Sequence, residues 1–447
     1  MEDRRDRMLV VGAGPVGLGI AQGLKARGIA YDQVEADDDV GGNWYHGVYT
    51  TAHIISSRRT TEFTDYPMPA DYPDFPSRQQ MVDYLRDYAR HFGLRERIEF
   101  NTKVVLARPR RDELWDIGLA SGEHRIYKGL MVCNGHHWSR RFPEYPGRFT
   151  GGFIHTKDYK GPDQLIGKRV LVIGGGNSAC DVASEAARVG VSCDLSLRRG
   201  YWFLPKTLLG KPLVEALPLA MPVFLQRLLL RLALRLVVGD YRRYGLPKPD
   251  HKIFEHHPTI NSELLHYVKH GRIKPRPDVA RFEGERVVFV DGSSATYDLV
   301  ICGTGYHVDF PFLPKGLVPV DGGLAHVYGG ALLPDYRHLY IIGTMQPRYG
   351  FGPLLTEGAG LLAMMVEMQD KMTLPLGRVL QAMGQKPPAS HLINPSVALR
   401  QMRRAKKLLP LLAPRAERKL RQQIAREAPP FSAETPLACP NADLRVY

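Results

Sequence analysis

Two stretches of the chain carry the same succession of apolar and polar positions. Met8–Val11 is a short unbroken apolar run, followed by glycines at 12, 14 and 17 and then by helical spacing from Ile20 to Ala26. Val170–Ile173 repeats the pattern, with Gly174, Gly176 and Ala179 in the turn. Such runs, bounded by glycine and giving way to a helical period, predict a buried parallel strand, a tight turn and a helix. Further on, "RVVFVDGSSATYDLVICGTGYHVDFPFL" predicts a hairpin at Asp291–Gly292 and a buried strand at Leu299–Cys302. That strand is expected to carry the chain back into the first domain. "HLYIIGTMQPRYGFGPLLTEGAGLLAMMVEM" predicts a last strand, a glycine-rich loop and a helix. Between the two units, the prolines of "FTDYPMPADYPDFPS" oppose regular structure until a helical segment near Met81 to His91.

Apolar residues dominate Val223–Val238, interrupted by Arg227, Arg231 and Arg235 at i, i+4 spacing. Arginines at that spacing exclude a membrane span and predict an amphipathic helix. It lies on a membrane surface through about 223–238, lids a substrate channel, or docks on its own protein with a solvated basic face; the pattern leaves these open. The tail, with "RRAKKLL" and "RAERKLRQQ", predicts a basic amphipathic helix with solvated faces.

At 447 residues the chain exceeds one ordinary core and predicts two or three domains. A hydrophobic fraction of 44% with 24% charged residues marks a globular protein. The net charge of +14 attracts polyanions, whether nucleic acid, anionic membrane or a phosphate-bearing cofactor. No nucleic-acid module is present, so no nucleic-acid partner is expected. The five cysteines form no CxxC, which points to a reducing compartment and excludes a dithiol-type flavoprotein reductase. "MEDRRDRMLVVGAG" has no apolar signal region, and a cytoplasmic location is expected. The pairs His136–His137 and His256–His257 lack a third ligand, so no metal is expected.

The turns carry the chemistry. Gly12, Gly14 and Gly17 suit a pyrophosphate seated on a helix N-terminus, and Glu35, about 20 residues on, suits a ribose hydroxyl. At the equivalent place in the second unit stand Arg198 and Arg199, with Lys206 shortly after, and cations there suit a 2′-phosphate. Opposite charge at the two discriminating positions implies a bound FAD and a visiting NADPH, hence hydride transfer to a flavin. The expected fold is α/β, with two Rossmann-like domains and the NADPH domain inserted into the FAD domain. The expected spans are 1–160 for the first part of the FAD domain and 165–295 for the NADPH domain, with a helical insertion at about 213–245. Residues 296–447 are expected to return to the FAD domain and to end in the basic tail.

"RFTGGFIHTKDYK" stands between the units, and here the chain resembles the flavin-containing monooxygenase family, whose signature is FxGxxxHxxx(Y/F). Phe149, Gly151, His155 and Tyr159 match it position for position. "EADDDVGGNW", "CNGHH", "GNSACD", "RRGYW" and "GTGYHVDFPFL" follow in the family's order. The resemblance implies that NADPH reduces FAD, that O2 forms a flavin C4a-hydroperoxide, and that a small-molecule amine or sulfide takes one oxygen atom. It implies cofactor contacts at Gly42, Asn43, Trp44, Asn177, Ser178, Thr304 and Gly305, and in the glycine-rich loop at Gln346. Related Baeyer–Villiger enzymes carry tryptophan where this chain has Tyr159, which favours nitrogen or sulfur over ketones. Family members often place an asparagine near the flavin, where this chain has Ile55. His53, Ser56 or Ser57 is then expected to substitute, or the chain releases peroxide as an NADPH oxidase. The candidate catalytic residues are thus His155, His53 and Ser56, with His155 as a coupling residue between nucleotide sites. A Baeyer–Villiger monooxygenase on the same scaffold and a flavin-binding sensor without turnover are further alternatives, and a homodimer is left open.

Overall fold

The computed structural model describes residues 2–216 and 221–427. Residues 217–220 of the insertion, the end of the tail from 428, and Cys439 lie outside the described residues. The other four cysteines are free and buried.

The first sheet has seven strands. In order they are Ile98–Glu99, Tyr31–Val34, Glu2–Val11, His124–Val132, Trp115–Leu119 and Val104–Pro109, with Leu339–Ile341 pairing His124–Val132 off this path. Glu2–Val11 is parallel to both neighbours, with Leu9 opposite Asp32 and Leu130. Met8, Leu9 and Val10 are 0% exposed. A parallel strand covered on both faces needs the unbroken apolar run that the sequence provides. The helices Pro15–Ala26 and Gly352–Asp370 approach closely, since a Cβ at Gly23 would lie 2.9 Å from the Ala359 backbone.

The second sheet has five parallel strands in the order Ile273–Arg276, Ser192–Ser196, Arg169–Ile173, Leu299–Cys302 and Gly152–His155. Leu299–Cys302 therefore does not return to the first sheet: it runs beside Val170–Ile173, buried on both faces. It is Leu339–Ile341 that returns, pairing with Leu130–Val132. Gly152–His155, inside the span expected for the first domain, is the edge strand of the second sheet. Gly147–Phe149 joins Val279–Gly284 in a further four-stranded sheet. That sheet includes the hairpin at Asp291–Gly292, where Gly292 has φ +81°.

Arg78–His91 starts earlier than the periodicity suggested, because Ser77 and Gln80 form a reciprocal capping box. The insertion helix Val223–Val237 buries Gln226, Leu230 and Leu234 and leaves Phe224, Leu228, Leu232 and Leu236 exposed. Its arginines do not share one environment. Arg227 turns inward to donate to the Ile253 carbonyl at 2.7 Å, whereas Arg231 and Arg235 are exposed among the leucines. Among the described residues no helix is long and apolar enough to cross a membrane. The tail forms Pro395–Glu427, which is more than a solvated helix. Leu409 and Ala413 enter the first core, and Glu417 accepts from the Thr373 and Leu374 amides at 2.7 and 2.8 Å.

The lobes are fastened through the helix Asn177–Val189 of the second. Tyr49 donates to Asp181 at 2.8 Å, while Thr51 and Tyr159 both donate to the buried Glu185. Tyr159, the last signature residue, is 0% exposed, and burial together with the Glu185 carboxylate pushes its phenol above its usual range. Replacing it by phenylalanine leaves the ring and removes one donor to a buried carboxylate. Tyr159→Phe is expected to cost about 1–3 kcal/mol, read as a lower urea midpoint of the FAD-loaded protein.

Candidate active site between the two glycine turns

The first turn is fixed by backbone contacts that leave no room for side chains. Gly12 sits at φ +105°, and a Cβ there would lie 2.7 Å from the Cys133 carbonyl; one at Gly17 would lie 2.0 Å from the Gly12 carbonyl. Glu35, 8% exposed at the end of its strand, accepts from the Ala13 amide and from Asp37 at 3.1 Å. Burial pushes its carboxyl upward. The Gly42–Trp44 turn leans on this loop, because Gly41 donates to the Ala13 carbonyl at 3.0 Å and Gly42 touches Gly14. Trp44 packs on the first core, and its carbonyl accepts from Arg78 at 2.9 Å.

In the second turn Gly174 repeats the left-handed geometry at φ +120°, and its Cβ would strike Gly303. Thus the "GTG" run, with Thr304 and Gly305, backs the second turn. Thr304 is itself held by Arg141, which donates to its carbonyl at 2.9 and 2.6 Å. The helix N-termini at Gly14 and Gly176 present bare backbone. A Cβ at Gly176 would meet nothing within 4 Å, and one at Gly14 only Gly42. Both are the cradles that a pyrophosphate needs. Asn177 and Ser178 open the second helix, but the Asn177 side chain is spent on Pro258 and Ile260, at 3.3 and 2.7 Å. Arg198 is exposed and makes no hydrogen bond or ion pair with the described residues, so it is available to a phosphate. Arg199 lies over Tyr201, 5.4 Å from the ring centre, and near His256. Lys206 meets His53.

Between the turns runs the signature segment. His155 is 0% exposed, with Nε2 at 3.0 Å from the Gly305 carbonyl and Nδ1 accepting the Lys157 amide at 3.1 Å. Both ring nitrogens are satisfied by main chain and burial lowers its pKa, so it pins the crossing strand to the second turn. Lys157 reaches back to the first lobe and donates to Asn43 Oδ1 at 2.8 Å. Burial, with Lys160 and Arg140 nearby, lowers its pKa to about 8. Gln346 spans His136 and His137, at 3.2 and 3.0 Å, and His136 donates to the Gly343 carbonyl at 2.7 Å. Burial holds both imidazoles neutral, His137 well below its usual range.

At Ile55, the position expected to lie near the flavin, the side chain is apolar. Ile55 packs with Leu204, Leu230, Phe254 and Tyr349 beneath the insertion helix. Ser56 is engaged with Thr61 at 2.7 Å, Ser57 caps the helix Arg58–Thr61, and His53 meets Lys206. None of the three presents an unengaged side chain in place of the missing asparagine. The residue list drawn from sequence omitted Lys157, which stands two after His155. It also omitted Tyr201, whose ring covers Gly175 and which sits inside "RRGYW". Asp181 and Glu185 were absent from it too, their only signal being acids at i, i+4.

Two dinucleotide cradles joined by the signature segment define a flavin-dependent oxygenase fold. The chain matches the family model described as flavin-binding monooxygenase-like over residues 5–407, and it belongs to that family. It is 32% identical over 379 residues to flavin-containing monooxygenase 5 of Oryctolagus cuniculus, covering 78% of this chain and 71% of that one. To the N-oxide-forming dimethylaniline monooxygenase 2 of Rattus norvegicus it is 31% identical over 376 residues, covering 76% and 69%. Its fold is similar to that of cyclohexanone monooxygenase from Rhodococcus sp. Phi1 bound to NADP+. The TM-score is 0.66 at 17% identity, covering 83% of this chain and 85% of that one. FAD and NADPH are accordingly the expected cofactors, and the two cradles fit them.

Two outcomes test this geometry. Arg198→Ala is expected to raise the KM for NADPH by about 10- to 100-fold while leaving that for NADH nearly unchanged, as loss of a charged hydrogen bond to phosphate requires. Equal losses remove the assignment. Lys157 has its folded pKa lowered from 10.5 to about 8, so above pH 8 the unfolded chain binds the extra proton. Wild type is therefore expected to gain stability relative to Lys157→Met as pH rises from about 8 to 10.5, seen in denaturation midpoints across that window.

Proposed function

We infer that the protein is an FAD- and NADPH-dependent monooxygenase that places one oxygen atom of O2 on a soft nitrogen or sulfur of a small molecule. The observation that carries this reading is the wall formed by Ile55, Leu230, Phe254 and Tyr349, which offers no carboxylate, thiol or free imidazole. The three residues put forward for catalysis are each engaged: His155 by main chain, His53 by Lys206 and Ser56 by Thr61. A substrate at such a wall must bring its own lone pair, which an amine or sulfide does. The N-oxide-forming relative from rat supports the same class, as does Tyr159 at the last signature position.

In this reading the first turn, Glu35 and Gly42–Trp44 hold FAD, while the second turn with Arg198 and Arg199 holds NADPH. FAD and NADPH together supply hydride transfer and oxygen activation. The protein's own part is to position and to exclude. His155 and Lys157 tie the second turn to Asn43 beside the first. The apolar cluster beneath Val223–Val237 keeps water from the reacting side. His136 and His137, held neutral by burial, place no charge beside Gln346. A second reading rests on Ile55, which cannot donate a hydrogen bond: the enzyme then releases hydrogen peroxide as an NADPH oxidase.

Both readings are tested with oxygen-18 gas, NADPH and three probes: N,N-dimethylaniline, methyl phenyl sulfide and cyclohexanone. The expected result is labelled N-oxide or sulfoxide matching most of the NADPH consumed. Lactone as the sole product, or peroxide accounting for all the NADPH, overturns the first reading.

A further inference from the structure

Arg348 follows Gln346 and Pro347 in the glycine-rich loop, and its guanidinium enters the apolar region that contains Ile55 and Tyr349. Nε and Nη1 are both buried without a hydrogen-bond acceptor among the described residues. The group lies over Phe254, 5.0 Å from the ring centre. Among the described residues its charged neighbour is a second guanidinium, Arg227, whose Nε is fixed on the Ile253 carbonyl at 2.7 Å. Among the described residues no carboxylate pairs with either, and burial together with Arg227 lowers the pKa of Arg348. A guanidinium taken out of water with two donors unused is a costly arrangement unless an anion completes it.

The surroundings have the character of a prepared site. Phe254 is 6% exposed and held at φ +66°, a left-handed conformation that a bulky side chain rarely adopts. Such strain tends to mark functional positions. Phe254 carries Arg348 over its ring and also lines an apolar cavity with Leu204, Leu213, Leu230 and Tyr349. Tyr349, next to Arg348, is held by its hydroxyl on Gln226 at 3.1 Å. Cation and apolar wall thus adjoin, and the fork of an arginine suits a carboxylate in two-point contact.

We propose that Arg348 receives a carboxylate on the substrate, so that the preferred substrates are anionic thioethers or amines whose apolar part lies against Phe254 and Tyr349. The assignment rests on the oxygenase reading above, which supplies the oxygen atom and leaves the carboxylate chemically unchanged.

The test compares methylthiopropanoate with its methyl ester on the FAD-loaded enzyme. Wild type is expected to favour the acid in kcat/KM, and Arg348→Met to lower that value about 10- to 100-fold through KM. The ester, the KM for NADPH and the flavin content are expected to stay unchanged, and Arg348→Lys to restore part of the loss. Equal losses for acid and ester overturn the proposal, as does an effect on the KM for NADPH, which makes Arg348 a cofactor-phosphate residue. If wild type oxygenates neither probe, the oxygenase reading fails. Calorimetric binding of methylthiopropanoate, present in wild type and absent in Arg348→Met, then still upholds the anion site, and no binding in wild type overturns it.

Discussion

The carboxylate of Glu185 holds the two lobes in register. It sits on the helix that opens the second nucleotide cradle, is buried, and accepts from Thr51 of the first lobe and Tyr159 of the crossing segment. One helical turn earlier, Asp181 accepts from Tyr49 and from Asn261, each at 2.8 Å. A buried anion is tolerable only when its lone pairs are filled, so these donors cannot leave without a large desolvation cost. The helix that would bind one cofactor is thereby oriented by side chains from the lobe that would bind the other. His155, Lys157 and Asn43 repeat the arrangement closer to the turns.

Burial keeps the histidines around the two turns uncharged. His136, His137, His155 and His257 all have their pKa values lowered, each chiefly because leaving water disfavours the imidazolium. The chain carries a surplus of cationic residues, yet the rings that the Gln346 side chain meets are uncharged.

Much of this was legible in the sequence, for reasons that differ by element. The glycine turns were visible because the chemistry of a close backbone approach is local, and Gly12 and Gly174 adopt the conformation that glycine tolerates best. The location of Leu299–Cys302 was not visible. An apolar run shows that a strand is buried on both faces but says nothing about which strands flank it. Lys206 stands near Arg198 in sequence, yet the side chain it meets, His53, is 153 residues away. Asn177 matches a family motif, but only the structure shows its amide committed to Pro258 and Ile260. Arg348 gave no signal, because an unsatisfied donor is a property of its neighbours.

The isolation of Arg198 has an evolutionary consequence. The flavin-side contacts of Gly42 with Gly14 and of Gly17 with the Gly12 carbonyl are backbone against backbone, and a side chain at Gly42 or Gly17 would disturb the fold. Arg198 is exposed and makes no hydrogen bond or ion pair with the described residues. Under the proposed reading, coenzyme preference is then a detachable trait. It can drift or be re-engineered at one position at almost no cost in stability, while the flavin cradle stays frozen.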